Sequence, residues 1–333
     1  MANLSTSYMG LRLKNPIIVG SSGLTNSVEN IKEAAVNGAA AVVLKSLFEE
    51  QIRVEQQLRD YYQQYPNATP ADAEALFPAS KQFRTSVDGY LEHIRAAKAA
   101  VSIPVIASIN CKSLGSWTDF AVRIEQAGAD ALELNIYFFP ANCDQTTDQI
   151  ENAYLTILKI IKDAVRIPVA VKLTPFFTNT ARMARRLDDA GADGLVLFNR
   201  FYQPDFDPKT LAITASIPAG GTADSRLPMH WIAALYGTLK ADLAATSGIY
   251  TAEDVVKMLM VGARVTMLAS VLLKQGIDHL KIIDRDLRTW LDANDYESIA
   301  SLHGILRQFR SKNSSAFERD AFIRSIIGGD VDG

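Results

Sequence analysis

The amino-acid sequence predicts a closed (β/α)8 barrel, and two recurring phrases carry that prediction. In the first phrase, a helix-like stretch ends at a glycine and passes directly into an apolar run. It occurs four times, as NGAAAVVLKS (37–46), AGADALELN (127–135), AGADGLVLFN (190–199) and VGARVTMLAS (261–270). In the second phrase, Ile-Pro-Val opens an apolar run, as in SIPVIASIN (102–110) and RIPVAVKLT (166–174). Glycine suits the left-handed cap of a helix, and proline can open a strand but not occupy its middle.

Two further apolar runs bring the predicted strands to eight. NPIIVGSSG (15–23) precedes the first repeat, and ADLAATSG (241–248) precedes the last one. The runs are mostly apolar and lack the regular polar alternation of a half-exposed strand, as expected of a parallel strand that is buried on both faces. Helix-like stretches separate the runs, so the succession of βα units favours a closed barrel, with a doubly wound open sheet as the alternative.

The composition fits a globular protein and argues against several classes. The chain has 333 residues, of which 48% are apolar and 21% charged, enough to bury a full core. The 34 basic residues nearly balance the 37 acidic ones, so we expect neither nucleic-acid nor membrane binding. No apolar run reaches the roughly 18 residues that span a bilayer, and no signal-peptide pattern is present, so we expect a cytoplasmic location. The two cysteines and four scattered histidines form no metal-ligand pattern, and no metal is expected.

We expect a single domain over residues 1–333 with two long insertions. The first, at about 47–90, is charged and tyrosine-rich and is interrupted by prolines, which is typical of a helix followed by a loop. Its aromatic residues favour an interface, so a homodimer is expected. The second insertion falls at about 201–229, and helical periodicity at about 277–325 predicts C-terminal helices.

Polar or small residues end most of the predicted strands. In a (β/α)8 barrel the active site lies at the carboxyl ends of the strands, so these residues should face one mouth. They are Ser21, Ser22, Gly23, Lys45, Ser46, Ser108, Asn110, Asn135, Lys172 and Asn199. Lys45 and Lys172 directly follow the apolar runs VVL and VAV. A lysine there needs an anion or an electron-rich ring beside it to offset its desolvation, so we predict that both belong to the site.

Small residues follow the last two predicted strands, at Ser247-Gly248 and Ala269-Ser270. Backbone N–H groups that side chains do not cover bind anions, and barrels commonly bind phosphate at their last two loops. We therefore predict a ligand that carries phosphate, with the pair Gly220-Gly221 also in contact with it. The sequence has neither a GxGxxG run that opens a βαβ unit nor a P-loop, which argues against NAD as the bound cofactor.

Taken together, these runs resemble class 1 of the dihydroorotate dehydrogenase family. The resemblance spans most of the chain, from LSTSYMGLRLKNP (4–16) to YESIASLHG (296–304). Between these ends it includes SSG (21–23), AVVLKS (41–46), LELN (132–135), VKLTP (171–175), FN (198–199), the GG pair, TSGIYTAEDV (246–255) and MLAS (267–270). The resemblance implies an FMN-dependent barrel in pyrimidine biosynthesis. Such an enzyme transfers a hydride between dihydroorotate, or a related small ring substrate, and the flavin N5.

The resemblance also implies roles for individual residues. The FMN phosphate would lie on the backbone at Gly220, Gly221, Ser247, Gly248, Ala269 and Ser270. The rest of the cofactor would contact Ser21, Ser22, Gly23, Lys45, Ser46, Ser108, Asn135 and Lys172. Lys45, Asn135 and Asn199 would line the substrate pocket above the flavin. A lysine near the N1 end of the ring would stabilise the negative charge of the reduced flavin.

The loop after the fourth strand departs from the family. The family's base is a Cys or Ser in this loop, whereas this chain has NIYFFPAN (135–142) and places Phe138 or Phe139 there. A phenyl ring accepts no proton, so Cys143 or Tyr137 in the same loop is the candidate catalytic base. Cys143 is favoured, because a thiolate forms near about pH 7 when a lysine lies close.

The first insertion departs from the family as well. The family holds the orotate ring with an Asn-x-Met-Gly-Leu-x-Asn run, and nothing like it occurs between Leu47 and Tyr90. The segment that would hold the substrate therefore departs from the family pattern, whereas the runs that imply the fold and the flavin match it.

Two alternatives from other functional classes stay open. A flavin-free, phosphate-binding barrel, such as a sugar-phosphate isomerase or aldolase, would use Lys45 or Lys172 as a Schiff-base amine. A flavoprotein subunit without its base would instead pass electrons to an external redox partner, or dock on it, through the 47–90 insertion. The two cysteines provide no iron–sulfur site, so any such cluster would lie on that partner.

Overall fold

The computed structural model describes residues 2–67, 69, 76, 86–111, 117–137, 141–200, 203–214, 220–306, 319, 323 and 327. Its strands are β1 (Thr6–Tyr8), β2 (Leu11–Leu13), β3 (Ile17–Val19), β4 (Ala41–Val43), β5 (Leu47–Phe48), β6 (Val105–Cys111), β7 (Ala131–Ile136), β8 (Val169–Leu173), β9 (Gly194–Leu197), β10 (Asp205–Asp207), β11 (Ala212–Thr214), β12 (Asp242–Thr246) and β13 (Val265–Leu268). Its helices are α1 (Val28–Val36), α2 (Glu49–Gln64), α3 (Val87–Ala100), α4 (Trp117–Gln126), α5 (Thr147–Ala164), α6 (Thr180–Asp189), α7 (Arg226–Leu235), α8 (Ala252–Val261), α9 (Ser270–Gln275), α10 (His279–Ala293) and α11 (Ile299–Leu302).

Eight parallel strands form a closed barrel. Around the ring the order is β3, β4, β6, β7, β8, β9, β12 and β13, and β13 pairs with β3, which places Thr266 opposite Ile17. The short β5 adds one parallel pairing to β6 outside this ring. The predicted (β/α)8 barrel is confirmed, and the open doubly wound sheet is wrong, because the pairing of β13 with β3 closes the ring.

The glycine-containing repeats fold as the sequence predicts. The apolar runs that follow them form fully buried strands, such as Gly194–Leu197 and Val265–Leu268. In the last repeat, Gly262 ends α8 in the left-handed region, with φ 115°. The same helix begins at a side-chain cap, where Thr251 accepts a hydrogen bond from the backbone N–H of Asp254. Regular alternation of strand and helix places the carboxyl ends of all eight barrel strands on one face.

A hairpin closes the amino-terminal end of the barrel. β1 and β2 pair antiparallel, and Tyr8 at the end of β1 is fully buried. The backbone N–H of Met9 donates to Asp242 Oδ2 at 2.8 Å, and the Tyr8 hydroxyl lies 2.9 Å from where a Cβ would stand at Gly194. Asp242 and Gly194 are the first residues of β12 and β9, so the hairpin lies opposite the mouth. Burial, with the carboxylates of Glu133 and Asp242, raises the pKa of Tyr8 well above its ordinary value.

Both predicted insertions contain regular structure. α2 provides the helix expected in the first insertion, and many of the insertion's other residues lie outside the described ones. The second contains an antiparallel hairpin of β10 and β11, with Phe206 opposite Ile213, which the sequence did not predict. α10 and α11 are helices in the expected C-terminal region, and the single-domain boundary stays a prediction. In the described part of the chain, no helix is both long and apolar enough to span a bilayer.

A half-buried histidine near the amino-terminal end of the barrel makes stability depend on pH. His303 Nε2 lies 3.1 Å from the Gly262 carbonyl oxygen, and His303 Nδ1 lies 3.2 Å from the Tyr236 hydroxyl. Burial, and secondarily the Arg264 charge, lower the pKa of His303 from 6.5 to about 4. The unfolded chain therefore binds a proton more readily than the folded protein does. The contribution of neutral His303 to the free energy of unfolding is therefore complete above about pH 6.5 and is lost as the pH falls toward about 4.

We expect a His303→Gln variant to lose less stability than the parent on acidification. The difference between the two proteins in unfolding free energy should change by about 2–3 kcal/mol between neutral pH and about pH 4.5, as measured by urea unfolding. His230→Gln is the matched control, because His230 is exposed. If the unfolding free energies of the His303→Gln variant and the parent depend equally on pH, His303 is not the source of the effect.

Candidate active site at the carboxyl end of the barrel

A cavity opens at the carboxyl ends of the barrel strands. Its volume is about 670 Å³, within the usual range for small-molecule and cofactor sites. The predicted site residues that line it are Ser21, Lys172, Asn199, Gly220, Ser247, Gly248, Ala269 and Ser270. These residues come from segments that are far apart in the chain. The structure thus brings together in one cavity half of the residues that the positions of the strand ends and the glycine pair predicted.

One part of this cavity is lined by backbone rather than by side chains. Ser247 and Gly248 follow β12 directly and have positive φ angles of 79° and 69°. Successive backbone N–H groups in such turns form concave anion sites. Gly248 has no room for a side chain, because a Cβ would stand 2.2 Å from the backbone nitrogen of Ser225. Gly220 is buried beside this turn, whereas Gly221 is exposed.

Three side chains that the sequence analysis missed surround Gly220. Arg200 lines the cavity, and its Nη1 lies 3.2 Å from where a Cβ would stand at Gly220. The Tyr250 hydroxyl donates to the Gly220 carbonyl oxygen, and Lys274 Nζ donates to the same oxygen at 3.2 Å. Lys274 Nζ also lies 5.3 Å from the centre of the Tyr250 ring. Arg200 directly follows Asn199, so extending the strand-end rule by one residue would have found it.

A chain of hydrogen bonds joins the strand-end side chains across the mouth of the barrel. Asn199 Nδ2 donates to Asn135 Oδ1 at 2.6 Å, and Asn135 Nδ2 donates to Ser46 Oγ at 3.4 Å. Ser46 Oγ lies 2.8 Å from Ser108 Oγ, and the backbone N–H of Ser46 donates to Ser21 Oγ at 3.1 Å. Each of these side chains is therefore oriented by its neighbours, which fixes the two amides at the mouth.

A buried ion pair lies at the inner end of this chain. Lys172 Nζ is 3.8 Å from Glu133 Oε1, and their exposures are 9% and 1%. Ser108 Oγ donates to the same carboxylate oxygen at 3.2 Å. Glu133 Oε2 has no hydrogen-bond partner among the described residues. Glu133 lies inside the run LELN rather than at its end, so the positions of the strand ends do not predict it.

Tyr90 holds Ser108 in place from the helix side. Its hydroxyl donates to the Ser108 carbonyl oxygen at 3.0 Å and accepts from the Ser108 N–H at 2.9 Å. Burial raises the pKa of Tyr90, so the phenol stays protonated and keeps both hydrogen bonds. Tyr90 belongs to α3, which follows the first insertion.

Some predicted cofactor residues lie beside the cavity rather than in its lining. Lys45 is exposed and lines a neighbouring cavity of about 220 Å³ together with Tyr90 and His93. Ser22 and Gly23 lie where a short 3-10 turn begins, after β3. The Ser22 hydroxyl is buried and has no partner among the described residues. Contacts of these residues with a cofactor stay predictions.

The candidate bases lie in the loop after β7. Tyr137 is half-buried directly after that strand, and Cys143 is exposed shortly before α5. Neither belongs to the described lining of the cavity. Phe138 and Phe139, the aromatic residues at the family's base position, lie outside the described residues. The identity of the base stays a prediction.

Comparison with known proteins assigns the family. Residues 80–291, more than half of the chain, match the sequence model of the family described as dihydroorotate dehydrogenase. The chain belongs to that family. It is 28% identical to the dihydroorotate dehydrogenase B (NAD(+)) catalytic subunit of Thermoplasma volcanium over 92% of this chain and 99% of that protein. It is also 28% identical to the putative dihydroorotate dehydrogenase A (fumarate) of Aeropyrum pernix, over 90% and 96% of the two chains.

Membership in the dihydroorotate dehydrogenase family confirms several of the sequence predictions. Dihydroorotate dehydrogenases use FMN and are oxidoreductases that act on a CH–CH bond in pyrimidine biosynthesis. The predicted resemblance, cofactor and enzyme class are therefore confirmed. A flavin-free isomerase or aldolase and a non-catalytic electron-transfer subunit are not favoured.

The cavity fits FMN by its chemistry as well as by its size. The turn at Ser247 and Gly248 exposes backbone, and the Arg200 guanidinium lies nearby, a combination that suits a phosphate. At the inner end, Lys172 supplies a nearly buried cation of the kind that favours an electron-rich ring. The donors, the cation and the bare backbone needed for a flavin mononucleotide thus line one continuous space.

Proposed function

We propose that this chain oxidises dihydroorotate, or a closely related dihydropyrimidine, in an FMN-dependent reaction. One ring carbon would lose a hydride, its neighbour would lose a proton to a protein base, and a C=C bond would form between them. FMN, when bound, accepts the hydride at N5. The observation that carries the proposal is the cavity in which Lys172 and Asn199 lie in the same lining as the bare turn at Ser247 and Gly248.

Within this proposal, the two ends of the cofactor bind at opposite parts of the cavity. The phosphate lies on the backbone of Gly220, Gly221, Ser247, Gly248, Ala269 and Ser270. Arg200, which lines the same region, adds a positive charge there. The ring lies toward Lys172, with Ser21, Ser46 and Ser108 in the hydrogen-bond chain behind it.

The amides of Asn135 and Asn199 suit a pyrimidine ring as substrate. An amide side chain both donates and accepts hydrogen bonds, as the imide edge of a pyrimidinedione does. The 2.6 Å bond between the two side chains fixes their orientation before a substrate arrives. Lys45, exposed next to Ser46, is the proposed partner of a substrate carboxylate.

The decisive experiment is the visible absorption spectrum of the purified protein, followed by anaerobic addition of dihydroorotate. We expect a flavin spectrum that dihydroorotate bleaches. A flavin spectrum that does not bleach would leave the cofactor in place and contradict dihydroorotate as the substrate. The absence of flavin, even after FMN is added back, would contradict the whole proposal.

We propose Cys143 as the base, with Tyr137 as the alternative. Cys143→Ala is expected to slow turnover by about tenfold to a hundredfold, because general-base assistance to C–H cleavage is lost. Tyr137→Phe keeps the ring and removes only the hydroxyl, so it is the matched comparison and should change turnover little. Steady-state rates under saturating dihydroorotate measure both variants. Unchanged turnover in both would rule out this loop as the source of the base.

A partner subunit and a second copy of the chain complete the proposal. The relative from Thermoplasma volcanium is named as the catalytic subunit of an NAD(+)-linked enzyme, so we propose an external redox partner for this chain. On α2 the ring of Tyr61 lies 5.8 Å from that of Tyr62 and 5.1 Å from that of Tyr65, and this aromatic cluster supports a homodimer. A cytoplasmic location is part of the same proposal. Analytical ultracentrifugation of the purified chain tests the dimer, and co-purification from the source cells tests the partner.

A further inference from the structure

Glu133 is a buried charge that the proposed reaction does not use. It lies in β7 with 1% of its surface exposed, inside the barrel rather than at its rim. One carboxylate oxygen accepts from Ser108 Oγ and faces Lys172 Nζ at 3.8 Å, and the other has no partner among the described residues. A buried carboxylate with an unsatisfied oxygen is costly, and well-packed apolar residues usually replace such a pair without loss. The position of Glu133 therefore calls for a functional reason.

The sheet register places Glu133 one layer below the mouth. Glu133 stands opposite Ser108 on β6, and Asn135, two residues later, stands opposite Lys172 on β8. Lys172 lines the cavity and Glu133 does not, so the carboxylate lies on the inner side of the lysine. The carboxylate is on the side of the lysine that is turned away from the cavity. A chain of hydrogen bonds through Ser108 connects it to Ser46 and to the amides of Asn135 and Asn199.

We propose that Glu133 is a positioning residue that offsets the charge of Lys172 and thereby lowers the reduction potential of the bound FMN. This inference rests on the proposed function, in which Lys172 faces the flavin ring. A positive charge beside the ring favours the reduced flavin, which carries the added negative charge. A carboxylate 3.8 Å behind that cation opposes its field and also fixes where the ammonium group points.

Glu133→Gln is the direct test, because the amide keeps the size of the side chain and its acceptor for Ser108 while removing the charge. We expect the reduced flavin to gain at least tenfold in population relative to oxidised flavin at a given potential. A tenfold gain corresponds to a rise of about 30 mV in the reduction potential of a two-electron couple. Anaerobic titration against a reference dye measures it. Glu151→Gln is the matched control, because Glu151 is also a buried carboxylate and is paired with Arg186 on the outer helices. The reduction potential of FMN in this variant should equal that in the parent.

A second pair of variants tests whether Glu133 acts through Lys172. In a Lys172→Met background no ammonium group remains for Glu133 to offset or orient, so Glu133→Gln should shift the potential less than it does in the parent. Equal shifts with and without Lys172 would overturn the proposed route. Should Glu133→Gln fail to fold, Glu133→Asp is the substitute, because it keeps the charge but moves it away from Lys172. It should raise the reduction potential of FMN by a smaller amount. An unchanged potential would overturn the inference.

The outcomes separate this inference from the function on which it rests. If the parent protein takes up no FMN, the proposed function and the inference fail together. If all variants bind FMN and Glu133→Gln has the parent's potential, only the inference fails.

Discussion

Gly248→Ala is expected to abolish FMN retention and to destabilise the fold by about 3 kcal/mol or more. The residue has φ 69°, and an added Cβ would stand 2.2 Å from the backbone nitrogen of Ser225 and 2.8 Å from the carbonyl carbon of Asp224. Backbone cannot swing aside as a flexible side chain can, so the turn after β12 has to shift. That turn is the proposed phosphate site. Fluorescence of released flavin and urea unfolding measure the two effects.

Gly237→Ala is the matched control for Gly248→Ala. Gly237 also has a left-handed φ, 81°, but no atom lies within 4 Å of the point where an added Cβ would stand. Only the backbone strain then remains, about 1 kcal/mol, and FMN binding should be unchanged. Equal loss of stability and normal FMN retention in both variants would show that the close approach to Ser225 does not matter.

Lys172→Met is expected to have the second large effect, on both rate and stability. Flavin reduction by substrate should slow by roughly 10²–10³-fold, because a preorganised cation at the ring is lost. The fold should lose about 3–5 kcal/mol, because Glu133 is left buried without its counter-charge. Anaerobic stopped-flow absorbance and urea unfolding measure the two losses.

The double variant Lys172→Met with Glu133→Gln separates the two effects. Removing both charges together should restore most of the stability, because no uncompensated charge remains in the barrel. The rate should stay low, because the cation is still absent. A double variant that is as unstable as Lys172→Met alone would show that the ion pair is not the source of the loss.

The barrel and the rim of its site were predictable because, in this fold, the position of a residue in the sequence determines where it lies in the barrel. Each predicted run gave one strand, and the carboxyl ends of parallel strands meet at one rim, so Lys172 and Asn135 could be placed without knowing any contact. Glu133 could not be placed in this way, because only the register between β6, β7 and β8 shows which charge inside an apolar run faces the interior.

The closure of the opposite end of the barrel was less accessible to sequence reasoning. The strands of the hairpin, β1 and β2, have three residues each, too few for a periodic pattern to stand out. Tyr8 is buried by strands that begin near Gly194 and Asp242, far along the chain. The base is harder still, because the family's motif is replaced in this loop and no periodic rule specifies a loop side chain.

The seam between β13 and β3 also has a consequence for how the chain folds. The Thr266 hydroxyl donates to the Pro16 carbonyl oxygen across a separation of 250 residues, and β13 is the last barrel strand in the chain. Contacts between such distant segments form slowly, because loop-closure entropy opposes them. During synthesis the earlier strands emerge first as an open, curved sheet whose two edges lack a partner. Until the final strand closes the ring, these unpaired edges are exposed to pairing with other chains.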